Sequence, residues 1–161
     1  MSGLVIRPAT ADDIAAILRI GHETWPATYA FAGQGYIEHG LASWWSEQSI
    51  AASLETTQNL VAEVDGEVVG MGNVDLRPET PVIWKLYVLP SSQGTGAGRA
   101  LIEALVALVP ADRGAVLLEY TDGNERAAAF YRRRGFTELR RDPPEQEGWP
   151  DQVWMTRNVA D

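Results

Sequence analysis

The apolar positions of this chain fall into two rhythms, and the change from one to the other marks its elements. Val82 to Leu89 is a near-continuous apolar run of strand length, and Ala100 to Val109 is a second run, longer and suited to a helix. Between them lies Gln93-Gly-Thr-Gly-Ala-Gly-Arg99, so the segment reads as strand, glycine-rich turn and helix start. Upstream, Leu4 to Arg7 is a short strand, and Thr10-Ala-Asp-Asp13 has the form of an N-cap with acidic first-turn residues. A first helix is expected from Ala11 to Ile20. From His22 to Leu41 aromatics and glycine give no firm period, which predicts a short-helix region, and Ser46 caps a helix to Glu55 with Ile50 and Leu54 inward. Leu60 to Val64 and Val68 to Val74 predict a hairpin turned at Asp65-Gly66. Ala115 to Thr121 alternates as a strand, Glu125 to Arg134 reads as a helix stopped by Gly135, and Gln152 to Thr156 as a closing strand. The stretch Arg140 to Asp151, with three prolines and four acids, reads as a loop.

Only Val82 through Thr121 has the order strand, helix, parallel strand, whereas a doubly wound dinucleotide domain needs several such units. Its glycine fingerprint is G-x-G-x-x-G, but Gly94, Gly96 and Gly98 are spaced G-x-G-x-G. Glu119, in the position of a ribose-binding acid, is the one residue favouring a nicotinamide enzyme. The expected fold class is α/β (α+β), with a mixed central sheet flanked by helices.

Three glycines at alternate positions let the unpaired N–H groups of a helix start approach an anion, and a phosphate is the expected one. At 161 residues with 45% apolar content, a single domain spanning 1–161 is expected. With no cysteine, disulfides, thiolate zinc sites and a cysteine thioester are excluded, and two histidines make a His-rich metal site improbable. The sequence shows neither a signal-peptide pattern nor a membrane-length apolar stretch, so a cytoplasmic location is expected. A net charge of −9 disfavours nonspecific nucleic-acid binding and would steer a cationic substrate inward, although acidity also serves solubility. Arg126, Arg132, Arg133, Arg134, Arg140 and Arg141 crowd the last third, where they suit either a nucleotide's phosphates or a solvated helix face.

Gln93-Gly94-Thr95-Gly96-Ala97-Gly98, preceded by Leu86-Tyr87-Val88-Leu89-Pro90, resembles the Q/R-x-x-G-x-G/A pyrophosphate motif of the GNAT superfamily of acyl-CoA-dependent N-acyltransferases. Asn124 to Phe136 resembles that superfamily's second motif, N-x-x-A-x-x-F-Y-x-x-x-G-F, at every fixed position. Thr24-Trp25 and Tyr29 are similar to the branch that acetylates polyamines and other small amines. The resemblance implies a sheet of six or seven strands, with two parallel strands splayed to hold acyl-CoA. The pantetheine arm would bond to backbone near Tyr87 and Val88, and the pyrophosphate would rest on Gln93, Gly94, Thr95, Gly96, Ala97, Gly98 and Arg99. Asn124 would cap its helix or bond the pantetheine, and the cap is preferred. Tyr131 would face the thioester sulfur and protonate the leaving thiolate; a phenol's ordinary pKa, about 10, keeps it protonated at neutral pH. Phe130 would pack inward.

The implied activity is acetyl transfer from acetyl-CoA to a primary amine of a small molecule by direct attack on the thioester. Two alternatives remain open: acetylation of protein N-termini or lysines, and a non-catalytic acyl-CoA sensor. The sensor is motivated by Val82, which falls where many superfamily members carry a glutamate. Glu119 is the first candidate to fill that vacancy as base, followed by Glu23, His22 and Asp75. No metal is expected. Dimers are common in this superfamily, which makes a homodimer an expectation by analogy. Of the six tryptophans, Trp84, Trp154 and Trp149 suit strand packing or a dimer contact. Trp25, Trp44 and Trp45 suit the core first, or an aromatic wall for an amine.

Overall fold

The computed structural model describes residues 3–159; Met1, Ser2, Ala160 and Asp161 lie outside it. Seven strands form one sheet: β1 (Leu4–Pro8), β2 (Gln58–Val64), β3 (Glu67–Asp75), β4 (Val82–Val88), β5 (Ala115–Thr121), β6 (Thr137–Asp142) and β7 (Gln152–Asn158). Their spatial order is β1-β2-β3-β4-β5-β7-β6, and all neighbours are antiparallel except β4 and β5. Five α-helices accompany them: α1 (Ile14–Thr28), α2 (Gln34–Trp44), α3 (Glu47–Thr56), α4 (Ala97–Ala107) and α5 (Glu125–Arg133).

The inner strands β2 and β3 are buried at successive positions because helices cover both faces of the sheet there. Leu60 and Ala62 of β2 join α4's Leu101, Ile102 and Leu105 and α5's Ala128 in one core cluster. Val61 between them joins α1's Ile17 and Ile20 and α3's Ile50 in the other. The β2–β3 hairpin turns at Asp65 (φ 52°) and Gly66 (φ 85°), both left-handed as a two-residue turn of this kind requires.

Three expectations need correction. The first helix does not stop at Ile20 but runs to Thr28, because Thr24 and Trp25 continue the buried stripe of Ile17, Ile20 and Gly21. Pro26 lies inside the helix, two residues from its end, and removes the one helical bond its N–H would have given to the His22 carbonyl. The irregular stretch that follows contains α2, a full helix. Finally, Arg140 to Asp142, expected in a loop, belong to β6. This strand has an almost fully exposed pattern at the sheet edge, so no hydrophobic alternation announces it.

One irregularity shapes the site. In the β3–β4 ladder Asn73 opposes Lys85 and Val74 opposes Ile83, leaving Trp84 as an extra residue on β4. Such a bulge bends its strand and re-aims side chains. The parallel β4–β5 pairing holds only at Val82–Leu117 and Ile83–Leu118 and is lost just where the bulge begins.

Candidate active site

From Trp84 onward β4 has no ladder partner on the β5 side, so its main-chain donors and acceptors there are available to something else. The opening is continued by a cleft of about 870 Å³, lined by β4, β5, the start of α4, α5 and the end of α1. The splay of two parallel strands is therefore present as the resemblance implies.

At one end of the cleft lies the glycine turn. Gly94 (φ 87°) and Gly96 (φ 92°) are left-handed, which is why glycine stands at both. Gly96 is the N-cap of α4 and gives the helix no side-chain cap, so the first-turn amides near Gly98 and Arg99 are open to an anion. Gln93, Gly94, Gly96, Gly98 and Arg99 line the cleft, as do Arg126 and Arg133 from α5. Thr95 and Ala97 do not. The Thr95 hydroxyl donates to the Ser92 carbonyl and Ala97 is buried in the core, so these two shape the turn rather than wall the cleft. Arg132, Arg134, Arg140 and Arg141 are likewise outside the cleft lining. Arg140 lies over the Trp154 ring and Arg141 pairs with Asp122 and Glu138.

α5 delivers the second set. Asn124 Oδ1 accepts from the Ala127 N–H at 3.2 Å, the expected cap, while the residue also lines the cleft. Tyr131 lines the cleft with Tyr87 and Val88, and its hydroxyl makes no hydrogen bond to a described residue. Burial and the neighbouring Tyr29 raise its pKa, which keeps the phenol protonated. Phe130 packs against the core as expected, but only in part. It is half-buried and also lines the cleft, 5.5 Å from the Tyr131 ring, and the small Ala128 is the residue α5 buries.

A second cavity, about 730 Å³, is walled by Trp25, Tyr36, Trp44, Trp45, Trp84 and Trp149, with the loop after β6 at its rim. Six residues line both cavities: Tyr29, Trp84, Lys85, Tyr87, Glu119 and Tyr120. The two spaces thus meet at the bulge and the strand gap. The hydroxyls of Tyr29 and Tyr87 share a hydrogen bond of 3.0 Å there, and burial pushes the Tyr29 phenol up to about 12. Trp25 and Trp45 are both core residues and cavity walls. Trp84, expected to pack in the sheet, is 43% exposed at the junction, and Trp44 is also exposed.

Glu119 is the one acid that lines both cavities, and it has no ion pair or hydrogen-bonded side-chain partner among the described residues. Burial, with Asp142 and Glu145 nearby, raises its pKa against the opposing pull of Arg140. The other three base candidates are placed otherwise. Asp75 is clamped by Arg77 (2.9 Å from each carboxylate oxygen) and Trp84 Nε1, with its pKa pulled down to about 2. His22 Nε2 donates to the Trp45 carbonyl at 3.0 Å, and Glu23 pairs with Arg19; neither lines a cavity. Val82 is buried at the paired end of β4 and also lines neither.

Lys85 went unnoticed in the sequence, although a signal was there: it is the only lysine among 13 basic residues. Its ammonium lies 5.2 Å from the Trp45 ring centre, and burial pushes its pKa down to about 8.

No cluster of His, Cys, Asp and Glu suited to a metal ion occurs among the described residues, nor does a helix long and apolar enough to cross a membrane. Solved structures of the same architecture include N-acetyltransferases. One, titled as PaiA N-acetyltransferase from Thermoplasma acidophilum in complex with coenzyme A, is 19% identical with a TM-score of 0.83, covering 97% of this chain and 99% of that one; at this identity the likeness is one of fold. A GCN5-related N-acetyltransferase from Rhodopseudomonas palustris is 27% identical with a TM-score of 0.82, covering 98% and 97%. Residues 15–136 match the profile of the acetyltransferase (GNAT) family, and the chain belongs to that family. A curated relative, L-2,4-diaminobutyric acid acetyltransferase of Nocardia farcinica, is 39% identical over 103 residues, which is 58% of this chain and 52% of the relative. The chain spans about half the length of the curated relatives it matches.

Proposed function

We propose that the protein transfers an acetyl group from acetyl-CoA to a primary amine of a small molecule. The observation that carries this reading is the meeting of two cavities at the strand gap, with Glu119 lining both and Tyr131 in the cleft alone. The cleft is suited to the donor: open β4 backbone for the pantetheine, the glycine turn and helix start for the pyrophosphate, and Arg99, Arg126 and Arg133 for further phosphate charge. Acetyl-CoA supplies the acetyl group as a thioester. The second cavity is of small-molecule size, and its tryptophans and acids suit an ammonium-bearing acceptor. The diaminobutyric acid acetyltransferase relative supports the same class of acceptor.

In this reading Glu119 takes a proton from the acceptor's ammonium, directly or through water, leaving an amine free to attack. Its raised pKa makes it a stronger base than an ordinary carboxylate. Tyr131 holds a proton at an unpartnered hydroxyl in the cleft and delivers it to the departing thiolate. With no cysteine in the chain, transfer runs from thioester to amine without a cysteine-bound intermediate.

Release of CoA thiol from acetyl-CoA, measured against amines, polyamines, amino acids, aminoglycosides and basic peptides, tests the proposal. Turnover is expected with a small amine. Tyr131→Phe should lower kcat about 10²-fold or more, in the range for loss of a general acid. Equal rates would remove Tyr131 from the mechanism. No turnover with any acceptor, despite tight acetyl-CoA binding, would favour the sensor.

A further inference from the structure

Lys85 is a cation that nothing in the acyl-transfer scheme uses. Its Nζ meets no carboxylate among the described residues, whereas Arg77, another base lining the acceptor cavity, is taken up by Asp75. Burying an unpaired ammonium costs stability, and the lysine's lowered pKa is the signature of that cost. The fold nevertheless holds the residue firmly. Its backbone N–H donates to Asn73 Oδ1 at 2.9 Å, Asn73 Nδ2 donates to Ser53 Oγ of α3 at 3.0 Å, and the adjoining bulge sets the course of the strand. A cation whose backbone is held in place and whose ammonium meets an aromatic face but no anion, at the point where two ligand cavities meet, is prepared for an anion carried by a ligand.

The donor's phosphates are poor candidates for that anion. The glycine turn begins beyond Val88, and even Val88 is three residues along β4 from Lys85, roughly 10 Å at the rise of a strand. Lys85 also lines the acceptor cavity. The cavity's acids, Glu119, Asp142 and Glu145, supply the opposite sign. Both signs in one cavity fit a zwitterion better than a polyamine, whose ammonium groups would be repelled by Lys85 at contact even though the net charge of −9 attracts them from afar.

We propose that the acceptor carries a carboxylate as well as the reacting amine, and that Lys85 binds this carboxylate and so selects amino-acid acceptors over their decarboxylated counterparts. This rests on the acetyltransferase reading above. Binding through the ammonium leaves Glu119 free for the reacting amine.

The test uses matched probes that differ only by a carboxylate: 2,4-diaminobutyrate and 1,3-diaminopropane, ornithine and putrescine, lysine and cadaverine. Both kcat/KM and binding in the presence of CoA, read from tryptophan fluorescence, are measured for each pair. Wild type should prefer the carboxylated member of at least one pair by about tenfold or more, as expected for a charge-assisted hydrogen bond. In Lys85→Gln that ratio should fall towards one, and Lys85→Arg should recover part of it because its charge is kept. Recovery by arginine also separates anion binding from a role as base, which a guanidinium does not fill. Wild-type ratios of one or below in both measurements, for all three pairs, overturn the proposal while leaving an acetyltransferase that turns over amines. Selective binding of carboxylated probes that Lys85→Gln abolishes, with no turnover of any, supports Lys85 as the anion site and overturns the acetyltransferase reading instead.

Discussion

Glu119 and Tyr131 are both pushed upward in pKa, yet the same shift prepares them for opposite tasks. For a carboxylate it increases basicity; for a phenol it secures the proton to be given away. If Glu119 is the base, as proposed, its ionised form is the working one, and kcat/KM should fall on the acid side along a limb above the ordinary glutamate value of about 4.3. Glu119→Gln should lower the rate about 10²-fold or more and abolish that limb. A pH–rate profile that keeps the limb in the variant would place the base elsewhere. Asp75 illustrates the reverse shift. Its folded pKa, about 2, lies below the unfolded value, so its contribution is complete above about pH 4 and is lost as pH falls through 2. Asp75→Asn should therefore cost up to about 2 kcal/mol at pH 7, less whatever solvent screening of the exposed Arg77 removes, and the gap to wild type should close in acid. Urea unfolding midpoints at pH 7 and pH 2.5 measure it.

The aromatic wall of the acceptor cavity depends on two glycines in its helices. A Cβ on Gly40 of α2 would stand 2.1 Å from the Trp25 ring, and one on Gly21 of α1 would stand as close to the Trp45 ring. Gly40→Ala gains up to about 1 kcal/mol in helix propensity, but overpacking a rigid ring costs about 1–3 kcal/mol, so the variant should be less stable on balance. Since Trp25 also lines the cavity, its KM for the acceptor should rise more than its KM for acetyl-CoA; equal changes would separate the wall from acceptor binding. The sequence carried strong signals for elements whose chemistry is local. Asp65-Gly66 specified its hairpin, Ser46 and Asn124 their caps, and the spacing of Gly94 and Gly96 the turn before α4. It carried weak ones where tertiary context decides. The edge strand β6 buries little, α1 runs through Pro26, and the bulge that brings Trp84 and Lys85 together leaves no mark in hydropathy because it arises from the register with β3. Motif and chemistry point to Tyr131 and Glu119 as candidates from the sequence, whereas Lys85 needed the cavity to give it meaning.

At the scale of the molecule, the donor cleft is built from the glycine turn, the start of α4, α5 and the end of α1, and the acceptor cavity from α2, α3, Trp25 of α1 and the loop after β6. Each site has walls of its own, so both ligands can be held at once. Initial-rate patterns should then intersect, as they do for a sequential mechanism, and no acetylated protein should accumulate when acetyl-CoA is given alone; parallel lines would require a covalent intermediate. The short β4–β5 pairing has a further consequence. A complete ladder between these strands would have turned the sheet into an uninterrupted partition. By closing only its first two rungs, the chain leaves a doorway whose posts are paired on their far sides, β4 to β3 and β5 to β7, so the passage between the two chambers is framed by hydrogen-bonded backbone and a ligand is admitted according to how its reacting group fits that aperture.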